Sequence, residues 1–198
     1  MLILESILTT VSPSGEINVA PMGARLSSPD ISRFILRPYQ TSRTYRNLKS
    51  HGEGVLHVSD DVMLLARAAL GDLDPVPRLV PAAQVQGWVL HDACRWYEFQ
   101  VLAVDDASDP VAIEARVVHT GRLRDFFGFN RAKHAVVEAA ILATRTDFLP
   151  MPDLQKEFNR LASIVNKTAG DQELRAFQYL RDHLDRVAAA QQAREAGG

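Results

Sequence analysis

The first part of the chain alternates between short apolar segments and polar turns, which is the pattern of a β-hairpin. Residues 2–11 and 16–26 are rich in β-branched and apolar side chains, and residues 12–15 between them supply the turn. Pro21 lies inside the second segment and has no backbone N–H to donate. The missing N–H group implies either a sheet edge or a bulge, and it predicts an interrupted strand around residues 20–23.

The alternation continues through further strands and two short helices. Pro38 ends a strand at residues 33–36, after which Thr41 or Ser42 can cap a helix that Gly52 closes. Further strands are predicted at 55–58, 88–104 and 111–123, with a helix at 62–70 and a proline-rich loop at 71–87. Loops longer than ~15 residues are often lids or binding loops, so this loop either covers a ligand or packs on a neighbouring subunit.

From residue 130 onward the apolar positions recur with a helical period. Asn130 can cap a helix that begins at Arg131, and two more helices are predicted at 152–167 and 172–191, followed by a frayed end. In the last of these helices we expect the apolar side chains to be buried, namely Leu174, Phe177, Leu180, Leu184 and Val187.

The first C-terminal helix combines an apolar surface with a stripe of charge. The apolar surface consists of Val136, Val137, Ala140, Ile141 and Leu142, and the stripe of Arg131, His134, Glu138 and Arg145. The stripe is either a solvated face or, together with Lys133 and the free N–H groups of the first turn, a site that meets an anion. Both interpretations stay open from the sequence.

The order of these elements predicts the architecture. Six strands and two short helices precede the helical region, without a repeating βαβ unit or a GxGxxG segment. This favours an α+β fold, a small antiparallel β-barrel with a C-terminal helical extension. We expect a barrel domain at 1–126 and a helical extension at 127–198 that packs on the barrel.

Composition narrows the classes of partner. The chain has 198 residues, a formal net charge of -2 and an estimated pI of about 6.3, so it lacks the basic field typical of nucleic-acid binding. The single cysteine, Cys94, cannot form an internal disulfide, and no Cys/His spacing predicts a metal site. No apolar run reaches the ~18 residues of a membrane span. We therefore expect a cytoplasmic protein without a nucleic-acid, membrane or metal partner.

Basic and hydroxyl side chains gather at the start of the first predicted helix. Arg37 and Arg43 accompany the hydroxyl groups of Thr41, Ser42 and Thr44. A helix start also offers unpaired N–H groups and the positive end of the helix dipole. Ordinary capping explains one hydroxyl but not three beside two arginines, so this segment is a candidate phosphate site.

The interrupted strand is a second candidate site. Gly23 permits a close approach of the backbone, and bulges occur both at sheet edges and near active sites. Residues 20–23 are thus either a simple bulge or a backbone segment that faces a ligand.

The hairpin opening and the segment RPYQTSRTYRNLKSHGEGVLHV resemble the flavin reductase-like group of FMN-binding split barrels. More specifically, the chain resembles an uncharacterised family of that superfamily, domain of unknown function four-four-seven. The resemblance lies in the order of the segments LESILTTVSPSGEINVAPMG, TSRTYRNL, HVSDDV and FNRAKHAVVEAAILATR, and it extends from Ile3 to about Leu184.

The resemblance implies a homodimeric split β-barrel that holds FMN near the subunit interface. It implies that the isoalloxazine ring lies against Ala20, Pro21, Met22 and Gly23, and the ribityl phosphate near Thr41, Ser42, Thr44 and Asn47. Arg37 joins the phosphate site on its charge and position. His57 departs from the group, in which an asparagine often ends the corresponding strand, and is most simply a hydrogen-bonded strand histidine.

We therefore expect an FMN-binding flavoprotein that acts as an oxidoreductase on an unassigned substrate. Because a flavin carries the difficult chemistry itself, no catalytic side chain needs to be assigned. Two alternatives remain. The protein binds FMN or another small cofactor without turnover, or it is a structural dimeric module in which the flavin site has decayed.

Overall fold

A computed structural model describes residues 1–29 and 31–196 of the chain and divides it into two compact units. The first unit comprises Met1–Asp60 and Pro75–Phe126. The second comprises Asp61–Asp74 and the chain from Phe127 onward. Residues 61–74, which the sequence-based division assigns to the barrel domain, thus belong to the second unit.

The described residues form strands and helices in the following order. The strands are β1 (Leu2–Val11), β2 (Ile17–Leu26), β3 (Arg33–Leu36), β4 (Glu53–Val58), β5 (Leu79–Pro81), β6 (Trp88–Leu90), β7 (Arg95–Asp105) and β8 (Ala112–Arg122). The helices are α1 (Arg43–His51), α2 (Val62–Leu70), α3 (Arg131–Ala143), α4 (Met151–Thr168) and α5 (Asp171–Ala196). None of the described helices is long and apolar enough to cross a membrane.

Six strands of the first unit close into a barrel in the order β1-β2-β3-β8-β7-β4. Every neighbouring pair that the structure records in this barrel is antiparallel. Its interior is apolar, with Leu8, Leu56 and Phe99 fully buried and the rings of Phe34 and Phe99 meeting edge to face at 5.1 Å. The predicted small antiparallel barrel of an α+β fold is confirmed.

The hairpin of β1 and β2 is regular, contrary to the interruption predicted at Pro21. β2 runs unbroken from Ile17 to Leu26, and Pro21 pairs with Ile7 in an unshifted register. Among the described residues, β2 pairs with β3 only at Arg25, so along most of its length one edge of β2 carries a hydrogen-bonded neighbour there and the other does not. A residue without an N–H group is tolerated in such a strand, and no bulge is needed.

The prediction of one long strand at 88–104 is wrong, because a turn divides this segment into β6 and β7. Within that turn the N–H group of Ala93 donates to the carbonyl oxygen of Leu90 at 3.2 Å. The N–H group of Cys94 donates to Val58 at 2.9 Å. The apolar alternation passes through the turn without a glycine or a proline, and the sequence pattern therefore does not reveal it.

A buried carboxylate holds the second half of the predicted 71–87 loop. Glu98 is fully buried and accepts hydrogen bonds from the N–H groups of Ala83, Gln84 and Val85 at 2.9, 2.6 and 3.2 Å, and from the indole of Trp96 at 3.1 Å. Burial alone would raise the pKa of Glu98, but these hydrogen bonds outweigh it and lower the pKa. This part of the loop is therefore fixed to β7.

The second unit packs its helices around small residues. The predicted start of α3 is confirmed, since the side chain of Asn130 accepts the N–H group of Lys133 at 3.0 Å. The buried face of α3 consists of Ala132, Ala135, Val136, Ala139, Ala140 and Ala143. Val137, Ile141 and Leu142, which we expected in the apolar surface, are only half-buried.

α5 differs from its prediction at both ends. Leu174 is 44% exposed, whereas its neighbour Glu173 is buried, so the expected burial of Leu174 is wrong. Phe177, Leu180 and Leu184 are buried as predicted. The helix continues to Ala196 instead of ending near residue 191, and the last two residues of the predicted frayed end lie outside the described residues.

Candidate functional site

Ser42 is the N-cap residue of α1. Its hydroxyl group accepts the N–H group of Tyr45 at 3.1 Å and donates to the carbonyl oxygen of Tyr39 at 2.7 Å. Ser42 has extended backbone angles, φ -75° and ψ 149°, as an N-cap residue requires. Of the two caps that the sequence offers, the structure uses Ser42, and capping occupies its hydroxyl group.

Several donors at this helix start have no protein acceptor. Among the described residues, no hydrogen bond is made by the N–H groups of Arg43 and Thr44, and the first turn contains no acidic residue. The Thr41 side chain is exposed, and its hydroxyl makes no hydrogen bond within the described chain, while its carbonyl oxygen accepts Nη1 of Arg46 at 2.8 Å. Free N–H groups at the positive end of a helix dipole are suited to an anion.

A buried polar network joins α1 to the first hairpin. Nδ2 of Asn18 donates to the hydroxyl oxygen of Thr44 at 3.1 Å and to that of Thr10 at 3.3 Å. Nδ2 of Asn47 donates to the same Thr10 oxygen at 3.0 Å. Thr10, Thr44 and Asn47 are all buried. The side chains of Thr44 and Asn47 therefore fix α1 against β1 and β2.

This network brings the two candidate segments together. Asn18 and residues 20–23 lie on the same strand, and Asn18 binds the first turn of α1 directly. In the 20–23 segment, Met22 packs against the barrel core, and its carbonyl oxygen accepts the hydroxyl group of Ser6 at 2.5 Å. A Cβ atom on Gly23 would lie 2.9 Å from the side chain of Ile3. A side chain at position 23 would therefore require the half-exposed Ile3 to shift.

Sequence reasoning missed Asn18, the residue that links these segments. The signal was available, because asparagine is depleted in strands and this one lies near the start of a β-rich segment. What no local pattern reveals is its partner, which lies 26 residues further along the chain.

Arg37 does not take part in this network. Its Nη2 donates to the carbonyl oxygen of Pro110 at 2.8 Å. Its Nε is buried and has no hydrogen-bond partner within the described chain. The guanidinium group is thus held on the segment before β8, and its link to the start of α1 rests on sequence proximity.

Two exposed ion pairs flank α1. Nη2 of Arg43 lies 3.6 Å from a carboxylate oxygen of Glu16, and both side chains are more than half exposed. Asp106 accepts Nζ of Lys49 at 2.7 Å and the hydroxyl group of Tyr45 at 2.8 Å, and these two hydrogen bonds lower the pKa of Asp106. The bonds of Lys49 to Asp106 and, at 2.9 Å, to the Tyr45 hydroxyl oxygen raise the pKa of Lys49. Exposed pairs contribute little, so the charge of Arg43 stays available to an anion.

His57 is a structural residue of β4, as the sequence suggested. It is fully buried, with Nδ1 3.0 Å from the carbonyl oxygen of Ile7, and Nε2 accepts the N–H group of Leu90 at 3.0 Å. Because Nε2 is the acceptor, the proton of the neutral ring lies on Nδ1. Burial lowers the pKa of His57 to about 4. Both ring nitrogens are used within the barrel wall.

The start of α3 differs from that of α1. Nζ of Lys133 lies 2.8 Å from a carboxylate oxygen of Glu173, and both side chains are largely buried. Glu173 also accepts the N–H group of Gly170 at 2.8 Å. Burial favours a higher pKa for Glu173, but these bonds outweigh it and lower the pKa. Of the two interpretations left open by the sequence, one placed an anion near Lys133, and at that position the structure has a carboxylate of the protein itself.

The charged stripe predicted on this helix faces solvent, and its last member, Arg145, lies beyond the end of α3. Arg131, His134, Glu138 and Arg145 are all exposed. The ring of His134 meets that of Phe129 edge to face at 5.9 Å. Among residues 1–29 and 31–196, no group of three or more His, Cys, Asp or Glu side chains is arranged to hold a metal ion.

Comparison with known families adds a relationship that covers both units. A family model described as "Protein of unknown function (DUF447) N-terminal domain" matches residues 4–124. A second model, described as "Protein of unknown function (DUF447)", matches residues 130–182. The chain belongs to the DUF447 family. The family resemblance read from the sequence is confirmed.

Solved structures share the fold of this DUF447 chain. An FMN-bound DUF447 protein from Methanosarcina mazei has a TM-score of 0.79 at 22% identity, covering 91% of this chain and 94% of its own. The styrene monooxygenase flavin reductase from Pseudomonas putida S12 has a TM-score of 0.50 at 18% identity, covering 60% and 77%. An FMN-binding protein from Thermus thermophilus has a TM-score of 0.50 at 16% identity, covering 61% and 70%. The predicted flavin reductase-like split-barrel fold is confirmed.

Proposed function

We propose that this DUF447 protein binds FMN, with the phosphate at the start of α1 and the isoalloxazine ring along residues 20–23 of β2. The observation that carries the proposal is the hydrogen bond from Asn18 to Thr44, because it joins the helix start with free donors to that strand. The FMN bound in the family member from Methanosarcina mazei supports the choice of ligand.

The donors at α1 fit a phosphate group. In our proposal, the free N–H groups of Arg43 and Thr44, the hydroxyl group of Thr41 and the guanidinium of Arg43 hold the phosphate oxygens, with the helix dipole adding to the attraction. The other members of the predicted phosphate site act by fixing these donors, namely Ser42, Thr44 and Asn47 through their side chains. Arg37 adds positive charge to the segment that precedes the helix.

The strand segment fits the flat face of a ring system. Ala20, Pro21, Met22 and Gly23 carry small or apolar side chains, and all are partly exposed. Bound FMN would supply hydride or electron transfer, while the protein orients the ring and excludes water. We propose that the protein is an oxidoreductase whose electron donor and substrate are unassigned. The shared fold of a flavin reductase supports this class of activity.

We also propose a homodimer. Apolar side chains on two barrel strands support it, because Leu2 and Ile3 on β1 are 58% and 52% exposed and Ile35 on β3 is 38% exposed. A native mass spectrum of the full chain tests this, and a purely monomeric spectrum at micromolar concentration contradicts it.

Replacement of Arg43 by proline tests the phosphate site at α1. Arg43 is the first helical residue and follows a residue with extended backbone, so proline is compatible with the fold there and removes one N–H group. Arg43→Pro should weaken FMN binding about tenfold or more, since a charge-assisted hydrogen bond contributes ~1.5–3 kcal/mol. Titration of flavin fluorescence measures the affinity.

Two control variants separate the causes of any loss. Arg43→Gln removes the charge but keeps the N–H group, and its effect should be smaller. Arg131→Pro makes the same change at the first residue of α3, after the extended residue Asn130, and should leave FMN affinity unchanged. Equal losses in Arg43→Pro and Arg131→Pro, or colourless wild-type protein from FMN-supplemented cells, would contradict the proposal.

Turnover separates an oxidoreductase from a simple binder. The wild-type protein with FMN should accelerate flavin reduction by NADH, NADPH or another reduced donor beyond the rate of free FMN. A bound flavin that no donor reduces would favour non-enzymatic binding, and would leave the proposal for FMN itself intact.

A further inference from the structure

A polar cavity lies on the β7–β8 ribbon of the barrel unit. Its volume is about 290 Å³, and it is lined by Arg95, Tyr97, Thr120, Gly121 and Arg122. None of the residues that carry the proposed FMN site lines it. The cavity is therefore formed by a different set of residues from the proposed FMN site.

Strand pairing sets two positive charges opposite each other in this cavity. Arg95 and Arg122 are directly paired across β7 and β8, and Tyr97 is paired with Thr120. Because side chains two residues apart share one face of a strand, these four side chains lie on the same face of the ribbon. Like charges in directly paired positions are destabilising unless an anion lies between or beside them.

The protein neutralises only one of these two charges. Arg122 pairs with Asp125, whose side chain is 82% exposed. Arg95 makes no ion pair and no side-chain hydrogen bond among the described residues. The cavity thus keeps a net positive charge and an unused guanidinium group.

The wall behind the cavity is rigid and excludes a side chain. Gly121 pairs with Trp96, and a Cβ atom at Gly121 would lie 2.0 Å from the Trp96 ring. The indole of Trp96 is itself held by the buried carboxylate of Glu98 at 3.1 Å. Any residue larger than glycine at position 121 would collide with this ring. Because Trp96 and Gly121 alternate with the positions that carry the arginines, this packing lies on the opposite face of the ribbon, and it keeps position 121 a glycine in the backbone behind the recess.

We propose that this cavity binds a small oxyanion, the phosphate or carboxylate group of a small-molecule ligand. The planar guanidinium groups of Arg95 and Arg122 match the geometry of such oxygens, and the hydroxyl group of Thr120 adds a donor. A volume of about 290 Å³ lies at the lower end of the range for small-molecule sites, so the ligand, or the part that enters, is small.

Titration calorimetry with two simple probes tests the site. Inorganic phosphate and malonate are added separately to the full chain at constant ionic strength. Wild-type protein should bind one equivalent of at least one probe, and the tighter probe identifies the source of the oxyanion. In Arg95→Gln and Arg122→Gln the affinity should fall on the order of tenfold or more. The matched control is Arg33→Gln, an exposed β3 arginine paired with Glu114 at 3.5 Å, and its affinity should not change.

Stability without added anion distinguishes a binding role from a structural one. Because Arg95→Gln removes a like-charge contact, its melting temperature in the absence of phosphate and malonate should equal or exceed that of the wild type, and it should no longer rise when the probe is added. Absence of binding by both probes, or equal weakening in Arg33→Gln, would overturn the proposal.

FMN affinity in Arg95→Gln should match the wild type, and loss of FMN binding there would show that the cavity belongs to the flavin site instead.

Discussion

The starts of α1 and α3 look alike in sequence but differ in what the fold does with their charges. Each has a polar cap, basic residues in its first turn and no acidic residue there. At α3 the positive charge of Lys133 meets Glu173 inside the helical unit. At α1 the nearest carboxylate to Arg43 belongs to Glu16, 3.6 Å away and exposed to solvent.

This difference teaches that an internal carboxylate decides whether a helix start can serve a ligand. The Lys133–Glu173 pair is satisfied without any ligand, and it stabilises the helical unit. The first turn of α1 is instead fixed by neutral hydrogen bonds among Asn18, Thr44 and Thr10, which leave its positive potential uncancelled. The same local chemistry thus supports packing in one unit and, in our proposal, recognition of an anion in the other.

Loss of Glu173 should have the largest effect on stability. Glu173→Ala leaves Lys133 as a largely buried charge without its carboxylate and removes the acceptor of the Gly170 N–H group. We expect the free energy of unfolding to fall by about 3 kcal/mol, since breaking a buried pair costs roughly 3–5 kcal/mol. Urea denaturation followed by circular dichroism measures it.

The control for Glu173 is an exposed ion pair of the same unit, Glu157 with Arg160, whose side chains are both more than 40% exposed. Glu157→Ala should lower the free energy of unfolding by less than about 0.5 kcal/mol. Added phosphate should restore part of the stability of Glu173→Ala, because that variant leaves the positive charge at the start of α3 without a carboxylate partner. A Glu173→Ala protein as stable as the wild type would remove the contrast between the two helices.

Acid should weaken the barrel unit at a higher pH than the helical unit. The pKa of His57 is about 4 in the fold against 6.5 for an unperturbed histidine, so between these values the unfolded state binds more protons. The stability that neutral His57 allows is therefore complete above pH 6.5 and is lost as the pH falls towards 4, by on the order of 3 kcal/mol. In the helical unit, burial also lowers the pKa of His183 from 6.5, but less than that of His57, and the pKa of Glu173 is lowered below its usual 4.5, so the larger loss above pH 4 falls on the barrel unit.

Two spectroscopic signals separate these units during an acid titration. Trp88 and Trp96, the two tryptophans of the chain, belong to the barrel unit, so their fluorescence reports on it. Ellipticity at 222 nm reports mainly on the helical unit, because α3, α4 and α5 are its longest elements. The fluorescence transition should come first as the pH falls. A helical signal that is lost before the fluorescence changes would contradict the assignment.

The sequence predicted those features that depend on neighbouring residues. The cap and the C-terminal glycine of α1, the start of α3 and the first hairpin all follow from local hydrogen bonding and alternation. The sequence did not predict the strand break at residues 91–94, because a contact distant in sequence stabilises its turn, the hydrogen bond from the Cys94 N–H group to the Val58 carbonyl oxygen. Of the two alternatives at Pro21, the structure has the sheet edge and not the bulge, because β2 lacks a paired neighbour on one side along most of its length.

The sequence indicated the separate segments of the candidate site, but not the contacts that join them. Thr41, Ser42 and residues 20–23 stood out by composition, but the sequence does not show that Asn18 bridges them or that Arg37 is held by Pro110. The pairing of Lys133 with Glu173 likewise joins two helices far apart in the chain. The cavity between Arg95 and Arg122 depends on strand register, which alternation alone leaves open.

Removal of the exposed charges on α3 should have the smallest effect. Arg131 and His134 face solvent, and the recorded contact of the His134 ring is with Phe129 at 5.9 Å. Arg131→Ala and His134→Ala should each change the free energy of unfolding by less than about 0.5 kcal/mol, and FMN affinity should stay within about twofold of the wild type in both. Thermal melting and flavin fluorescence titration measure the two quantities. A selective loss of FMN binding in Arg131→Ala, with unchanged melting, would move the phosphate site from α1 to α3 and reverse the contrast between the two helix starts.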